Sequence, residues 1–367
     1  MSFHYFMPTK VIAGQGCIVE QAAAMKALGT KALIVTGARS ATLNGSQDDV
    51  VRALEANGQP YLVFNQVMSN PTVQCAYDGA SMARENGCDF FIAIGGGSPM
   101  DAAKAMALLT AQDKEIPPAE IFSTAYTKAL PVVAVPTTAG TGSEVTQYAI
   151  LTNDAAETKT SIATPLIFPA LAYLDPVYMK SLGKNVTINT AVDALSHSME
   201  GMLSIRASKL SDAQAKESLA LIAACFGAIS KDNVSMAVRE KLLLASTLGG
   251  MVIANTGTTA VHAMGYSLTY YKDIDHGRAN GLLLPSFLAF VETREKERVA
   301  EILACMNMKS VAEFAEQINV LLGKRETLSA EEIEHYAEKA GKTANIGNCL
   351  IRPEKDDLVD VLKACML

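Results

Sequence analysis

Short apolar runs alternate with amphipathic stretches over the first half of this chain. Four runs rich in β-branched and aromatic residues predict buried strands, at residues 31–36, 60–64, 89–94 and 130–135. Such alternation favours a parallel sheet with helices on both faces. A small β excursion is predicted after the fourth strand, from runs at 148–152, 158–162 and 171–174.

The pattern changes beyond Asn185, where long Ala-, Leu- and Met-rich stretches lack strand-like alternation. These stretches predict helices at residues 189–206, 209–230, 234–250, 309–322 and 329–340. We therefore expect an α/β domain over residues 1–183 and an all-helical domain over residues 184–367. A chain of 367 residues is long enough for two domains with a substantial core.

A glycine turn follows the third predicted strand. Gly95, Gly96 and Gly97 precede Ser98, Pro99 and a strongly helix-forming segment. Ser98 is the expected N-cap of that helix and Pro99 its expected first residue. At a strand-to-helix turn the backbone approaches a ligand closely, and its N–H groups hold phosphate. Three glycines alone would equally serve a tight turn, and their spacing is not that of the usual dinucleotide fingerprint.

A second polar segment, PTTAGTGSEVT at residues 136–146, follows the fourth predicted strand. Hydroxyl side chains and glycines crowd the carboxyl end of that strand, which is where ligands bind in open α/β sheets. The segment is therefore either a phosphate or ribose contact or an ordinary polar loop.

One carboxylate and three imidazoles gather in the predicted helical domain. Asp193 and His197 are four residues apart in a helical pattern, so both point from one face. His262 and His276 follow, and the whole chain has only five histidines. These donors suit Fe²⁺ or Zn²⁺ and suit Mg²⁺ or Ca²⁺ poorly. Any one of them alone would equally be an ordinary polar residue on a helix.

Composition and charge argue against several classes of protein. The formal net charge is −7 and no basic patch is present, so we expect no nucleic-acid partner. No run of about 20 apolar residues occurs, so no membrane span is predicted. The seven cysteines are scattered without a C-x-x-C pair, and no signal peptide is recognised. A reduced, cytoplasmic setting is therefore expected.

Taken together, these segments resemble the iron-containing (group III) alcohol dehydrogenase family over nearly the whole chain. The resemblance is carried by FMPTK at 6–10, GQG at 14–16, SNPT at 69–72, GGGSPMDAAKA at 95–105, PTTAGTGSEVT at 136–146, DALSH at 193–197, AVHAM at 260–264 and HGRAN at 276–280. It implies a Rossmann-like nucleotide-binding α/β domain followed by an all-α metal-binding domain, the dehydroquinate synthase-like architecture. It also implies a homodimer.

The activity implied by the resemblance is that of a metal-dependent, NAD(P)-linked alcohol dehydrogenase or aldehyde reductase. Hydride would pass between the nicotinamide of NAD or NADP and a small primary alcohol or aldehyde, with the substrate oxygen held by Fe²⁺ or Zn²⁺. A glycerol-dehydrogenase-like or sugar-phosphate-cyclase-like zinc enzyme is the closer alternative. A metal-dependent hydrolase is the distant one, because it leaves the glycine and hydroxyl segments unexplained.

The resemblance implies a role for each matching position. The nucleotide would be bound by Asn70 near the adenosine, by Gly95, Gly96, Gly97 and Ser98 at the pyrophosphate, and by Thr137, Thr138, Thr146 and Lys159 along the nicotinamide side. The metal would be bound by Asp193, His197, His262 and His276. Asp101 would help to order the nucleotide pocket.

Two positions depart from the family pattern. Tyr266 stands where many members carry a second histidine that is a favoured candidate for proton transfer. Tyrosine, with an ordinary pKa of about 10, is a poorer base. We predict that Tyr266 relays the proton. The alternatives are a relay through water and the ribose hydroxyls, slow catalysis without a relay, and a tyrosine that simply fills helix-packing space. Gly37 replaces the acidic residue common in NAD-preferring members, and with Arg39 and Ser40 nearby it favours dual or NADP use.

Overall fold

The computed structural model describes residues 3–366, which form two compact units. One unit comprises Met7–Thr138 with Gly142–Ser181. The other comprises residues 182–366, together with Ala139–Thr141 and residues 3–6. Within residues 3–366, no helix combines the length and apolar character needed to cross a membrane.

The first unit is built on strands β1 (Lys10–Ala13), β2 (Ala32–Thr36), β3 (Tyr61–Phe64), β4 (Phe90–Gly95), β5 (Val132–Pro136), β6 (Tyr148–Asn153), β7 (Thr158–Ala163) and β8 (Leu171–Leu174). Six of them form one parallel sheet in the order β1-β8-β5-β4-β2-β3, while β6 and β7 pair antiparallel. The parallel sheet and the four strands predicted after residue 30 are confirmed, with ends shifted by one or two residues.

Two strand predictions need correction. Residues 171–174 are a strand, but they join the main sheet between β1 and β5 and not the small excursion. Strand β1 was not predicted, because its four residues alternate weakly and its two end residues are exposed. By contrast β2, β4 and β5 are buried along their whole length, as central parallel strands must be, and their continuous apolar runs are easy to recognise.

The helices of this unit are α1 (Cys17–Glu20), α2 (Ala23–Lys26), α3 (Ser40–Leu43), α4 (Ser46–Asn57), α5 (Val73–Glu85) and α6 (Gly97–Ala111). One core cluster joins α1, α2 and α4 to the inward face of β2, β4 and β5. A second joins α5 and α6 to the β6–β7 pair. Helix α6 begins two residues after the carboxyl-terminal residue of β4, which is a central strand of the sheet.

The second unit is helical, as predicted. Its helices are α7 (Lys184–Met202), α8 (Lys209–Ala223), α9 (Phe226–Ser230), α10 (Met236–Thr256), α11 (Ala260–Lys272), α12 (His276–Glu292), α13 (Lys296–Cys305), α14 (Val311–Leu322), α15 (Ala330–Gly341) and α16 (Lys355–Met366). The single helix predicted at 209–230 is wrong, since the chain breaks it into α8 and α9. Helices α11, α12, α13 and α16 lie outside the helical ranges predicted from the sequence. Of these, α11 and α12 are buried over most of their surface and so show no polar stripe.

Candidate functional site

The four candidate metal ligands come from three helices of the helical unit. Asp193 and His197 lie one turn apart on α7, His262 lies in the first turn of α11, and His276 begins α12. Asp193, His262 and His276 each offer a ligand atom, and these atoms all lie within 4.8 Å of one another. His197 stands beside them, with Nε2 3.8 Å from Asp193 Oδ1. We call these four residues the metal group.

The metal group depends on close packing of α7 against α12. A Cβ at Gly277 would overlap the backbone carbonyl oxygen of Asn189, and one at Gly281 would overlap Val192. Glycine at these two positions therefore lets the two helices approach closely enough to bring His276 to Asp193, with Nε2 3.9 Å from Oδ1.

The buried amide of Asn280 lies among three of the candidate ligands, and its contacts indicate whether these residues suit a cation. Its Nδ2 lies 3.1 Å from Asp193 Oδ1, 3.2 Å from His262 Nε2 and 3.3 Å from His276 Nε2. One amide nitrogen therefore lies within hydrogen-bond distance of a carboxylate oxygen, to which it donates, and of two imidazole nitrogens. A carboxylate oxygen with imidazole nitrogens is the donor set that Fe²⁺ and Zn²⁺ prefer, so the residues fit such an ion.

Burial and charge tune the titratable members of the metal group. Burial raises the pKa of Asp193, but the imidazoles of His197, His276 and His262 lower it by more than burial raises it. The pKa of Asp193 therefore lies below its ordinary value. For His197, burial lowers the pKa, and the attraction of Asp193 only partly opposes this shift. An ionised carboxylate and a neutral imidazole are the forms that bind a metal ion.

Tyr266 lies one turn after His262 on α11 and is half-buried. Its ring stacks on that of His276, with centroids 5.7 Å apart and planes 11° from parallel. The position that departs from the family pattern therefore borders the metal group.

Glu200 is a residue that the sequence reasoning missed. It lies on α7 seven residues after Asp193 and three after His197, so the three side chains share one face of the helix. Its carboxylate is completely buried and hydrogen-bonds to Nδ1 of His262. The spacing of Asp193, His197 and Glu200 is the signal that could have revealed it.

In the α/β unit, the glycine turn comprises residues Gly95–Ser98, which span the end of β4 and the start of α6. The prediction for its helix start is wrong: Gly96 is the N-cap and Gly97 the first helical residue, so Ser98 and Pro99 lie within the first turn. Proline is tolerated there because the first N–H groups of a helix have no partner within it. The earlier start leaves the N–H groups of Gly97 and Ser98 at the helix N-terminus, where anions bind.

Steric contacts require glycine in this turn. Gly95 has φ +150°, and a Cβ there would lie 2.5 Å from Pro99 Cγ. A Cβ at Gly96 would lie 2.9 Å from Thr138 Oγ1. The backbone N–H of Thr137 donates to the carbonyl of Gly95 at 2.9 Å. The predicted glycine and threonine segments therefore meet at one edge of the sheet.

Asn70 reaches the same turn. Its backbone N–H donates to Ser98 Oγ at 3.3 Å, and its carbonyl accepts from Thr152 Oγ1 at 3.0 Å. Its φ of 56° lies in the left-handed region, which asparagine tolerates better than most residues.

Lys104, a further residue that the sequence reasoning missed, ties α6 to the hydroxyl segment. Its side chain is fully buried, and Nζ donates to the carbonyl and Oγ of Ser143 at 2.6 and 2.7 Å, to the Tyr148 carbonyl at 3.0 Å and to Thr146 Oγ1 at 3.3 Å. Burial lowers the pKa of Lys104 to about 8. Asp101 accepts from Ser143 Oγ at 2.8 Å, and burial raises the pKa of its carboxyl. Asp101 is therefore hydrogen-bonded to this segment.

The remaining predicted nucleotide residues are placed as follows. Gly37, Arg39 and Ser40 follow β2, which pairs with β4, so they lie at the sheet edge that carries the glycine turn. Arg39 and Ser40 are exposed. Lys159 is half-buried on β7.

The fold and the two candidate sites define a class: a parallel α/β unit with a glycine turn, joined in one chain to a helical unit with a carboxylate–imidazole group. The family model for iron-containing alcohol dehydrogenase matches residues 8–176, and that for the C-terminal region of the Fe-containing alcohol dehydrogenase family matches residues 187–366. The chain belongs to the iron-containing alcohol dehydrogenase family and is an alcohol oxidoreductase. This finding favours the dehydrogenase prediction over the cyclase and hydrolase alternatives.

Individual relatives agree. The solved structure of an iron-containing alcohol dehydrogenase from Thermotoga maritima is 35% identical, with a TM-score of 0.92 over 100% of this chain and 99% of that one. A long-chain primary alcohol dehydrogenase of Thermoanaerobacter ethanolicus is 33% identical over 86% of this chain and 77% of its own. An NAD-dependent methanol dehydrogenase of Bacillus methanolicus is 30% identical over 82% of this chain and 78% of its own.

Proposed function

We propose that this protein interconverts small primary alcohols and aldehydes using NAD(H) or NADP(H) and one iron ion. The ion would be held by the metal group, with Zn²⁺ as an alternative occupant. The observation that carries the proposal is the convergence of Asp193, His262 and His276 ligand atoms within 4.8 Å of one another. The nucleotide would belong to an α/β domain over residues 1–183, and the metal to a helical domain over residues 184–367.

When bound, the metal supplies Lewis acidity that favours the alkoxide form of the alcohol. The residues of the chain supply the rest. Asp193 offers the negative charge that compensates part of the charge of the cation, and the histidines offer neutral nitrogen donors. Tyr266 would hold and move the hydroxyl proton from its place beside His276. Support for that role is the stacked contact between the two rings.

The glycine turn would hold the nucleotide pyrophosphate. Support comes from the N-terminus of α6, whose first N–H groups favour negative charge, and from the glycines that allow close approach. Asn70 would lie near the adenosine, while Thr137, Thr138, Thr146 and Lys159 would line the nicotinamide side. Asp101 would act indirectly, through its hydrogen bond with Ser143.

The choice between NAD and NADP would depend on the residues after β2. The Bacillus methanolicus relative is NAD-dependent by name, which favours NAD. Gly37, however, offers no carboxylate to repel a 2′-phosphate, and the exposed Arg39 and Ser40 offer groups that bind one. We therefore propose that both nucleotides are used. Gly37→Asp should raise the preference for NADH over NADPH, and an unchanged ratio would contradict this assignment.

The proposed setting is a homodimer in the cytoplasm. Support for a reducing compartment is that all seven cysteines lie within the described residues and none forms a disulfide there. The dimer rests on family resemblance, and sedimentation would test it.

The first experiment is anaerobic reconstitution of the purified chain with Fe²⁺ or Zn²⁺, followed by nicotinamide absorbance with NADH or NADPH and a series of short-chain aldehydes. We expect oxidation of the nucleotide that requires both metal and aldehyde. Failure to bind metal or nucleotide would overturn the proposal. A rate that survives complete removal of the metal would overturn its metal-dependent step.

A further inference from the structure

Glu200 carries a completely buried carboxylate in the helical unit, and the function proposed above gives it no role. A buried carboxylate is costly unless hydrogen bonds satisfy it. Within residues 3–366, the hydrogen bonds of the Glu200 carboxylate come from the N-cap of α11, Thr259, and from His262 in the first turn of that helix. Its position is therefore tied to the helix that carries one of the metal-group histidines.

One carboxylate oxygen acts as the cap of α11. Glu200 Oε1 accepts from Thr259 N–H at 2.8 Å, from Thr259 Oγ1 at 2.7 Å and from His262 N–H at 3.3 Å. Thr259 occupies the N-cap position but makes no side-chain capping bond of its own. A carboxylate from α7 thus takes the place of the missing cap, where the helix dipole favours negative charge. This contact locks the start of α11 against α7.

The other carboxylate oxygen acts on the His262 ring. Glu200 Oε2 hydrogen-bonds to Nδ1 of His262, and a carboxylate oxygen can only accept, so Nδ1 carries the proton. In the neutral ring, the opposite nitrogen, Nε2, then carries no proton and offers a lone pair. It lies 3.2 Å from Nδ2 of Asn280, and the same amide nitrogen lies 3.1 Å from Asp193 Oδ1.

We propose that Glu200 is a positioning residue for the metal site. Its carboxylate holds His262 in the Nδ1–H tautomer and orients the ring, so that Nε2 presents its lone pair to the metal ion. A hydrogen-bonded carboxylate behind a ligating histidine typically changes metal affinity by roughly 10- to 100-fold. The inference rests on the proposed function, because it requires the metal group to bind an ion.

Glu200→Gln is the sharpest test, because the two side chains have nearly the same shape. If the Gln amide oxygen keeps the three capping bonds, its NH₂ group faces Nδ1 and favours the opposite tautomer, with the ring proton on Nε2. If the amide turns over, the capping bonds of α11 are lost. In both cases Zn²⁺ affinity, measured by competition with a chromophoric chelator, should fall roughly 10- to 100-fold.

Glu301→Gln is the matched control. That glutamate pairs with Lys216 and Arg298, which are not members of the metal group. It should leave Zn²⁺ affinity unchanged. Equal Zn²⁺ affinity of wild-type protein and Glu200→Gln would overturn the inference. If the wild-type protein itself does not bind Zn²⁺, the proposed function is overturned instead.

A second measurement reads the ring tautomer in the wild-type protein itself. Nitrogen NMR of the metal-free wild-type chain, with its five histidines labelled, reports which ring nitrogen carries the proton. We expect His262 as the Nδ1–H tautomer, assigned by its loss in His262→Ala. Observation of the Nε2–H tautomer would overturn the inference, whatever the activity of the enzyme.

Discussion

The glycine turn and the metal group are assembled in different ways. The glycine turn consists of consecutive residues, Gly95–Ser98, and its binding groups are backbone N–H donors at the end of a buried strand. The metal group takes side chains from three helices, and each ring needs neighbours to hold it, as Glu200 holds His262. A local turn can be read along the chain, whereas the metal group exists only after α7, α11 and α12 have packed.

This difference predicts that the two sites fail separately. Loss of a metal-group side chain should abolish chemistry while nucleotide binding persists, because the glycine turn keeps its own strand and helix. A clash in the glycine turn should weaken nucleotide binding while the metal stays bound.

His262→Ala should have the largest effect. It removes one of the three tightly grouped ligands and leaves Glu200 buried without its ring partner, so we expect metal loss and at least about a 100-fold fall in kcat/KM. NADH affinity, followed by fluorescence titration, should stay within about twofold of wild type. His335→Ala, which changes an exposed histidine, is the control. Full metal occupancy in His262→Ala would contradict the assignment.

Tyr266→Phe should come next. If the hydroxyl moves the proton, kcat should fall roughly 100-fold and its dependence on pH should change, while iron content is retained because Phe keeps the ring contact with His276. Tyr270→Phe, one turn further along α11, controls for loss of a hydroxyl from this helix. An unaltered kcat would assign Tyr266 to packing.

Gly95→Ala should affect the other region. The φ of +150° and the 2.5 Å approach to Pro99 Cγ strain any side chain there, at a cost of about 1–3 kcal/mol. We expect NADH affinity to fall about tenfold or more, with metal content unchanged. Gly227→Ala, which adds a Cβ in open space at an exposed position of α9, should change neither quantity. Simultaneous loss of metal would show that the two regions are coupled.

Lys104→Met should have the smallest effect, seen as a change in how stability depends on pH. The pKa of Lys104 is lowered from 10.5 to about 8 in the folded protein. Between these values the unfolded chain binds the proton that the folded chain has lost, so wild-type stability rises with pH relative to the variant. The slope is at most about 1.4 kcal/mol per pH unit.

Urea unfolding at roughly pH 7.5 and pH 9.5 would measure this difference for the Lys104→Met variant. Lys114→Met, at an exposed position, is the control. A constant gap between wild type and Lys104→Met would show that Lys104 keeps an ordinary titration in the folded protein.

The sequence by itself determined the fold class, the central strands and the family. Runs such as Phe90–Gly95 are buried along their whole length and therefore apolar throughout. The motifs around Gly95 and Asp193 occupy consecutive or one-turn positions, so their chemistry could be read directly.

Only the tertiary structure decided the residues that support these motifs. Helix α6 begins at Gly97, two residues before the predicted first residue, Pro99. The close approach of Thr138 and Pro99, which excludes a Cβ from the turn, is also seen only in the folded chain. Residues 171–174 pair with β1 and β5 in the main sheet. This pairing could not be predicted, because both partner strands lie far away along the chain. Lys104 and Glu200 looked like ordinary helical charges until packing removed them from water and obliged each to find distant hydrogen-bond partners.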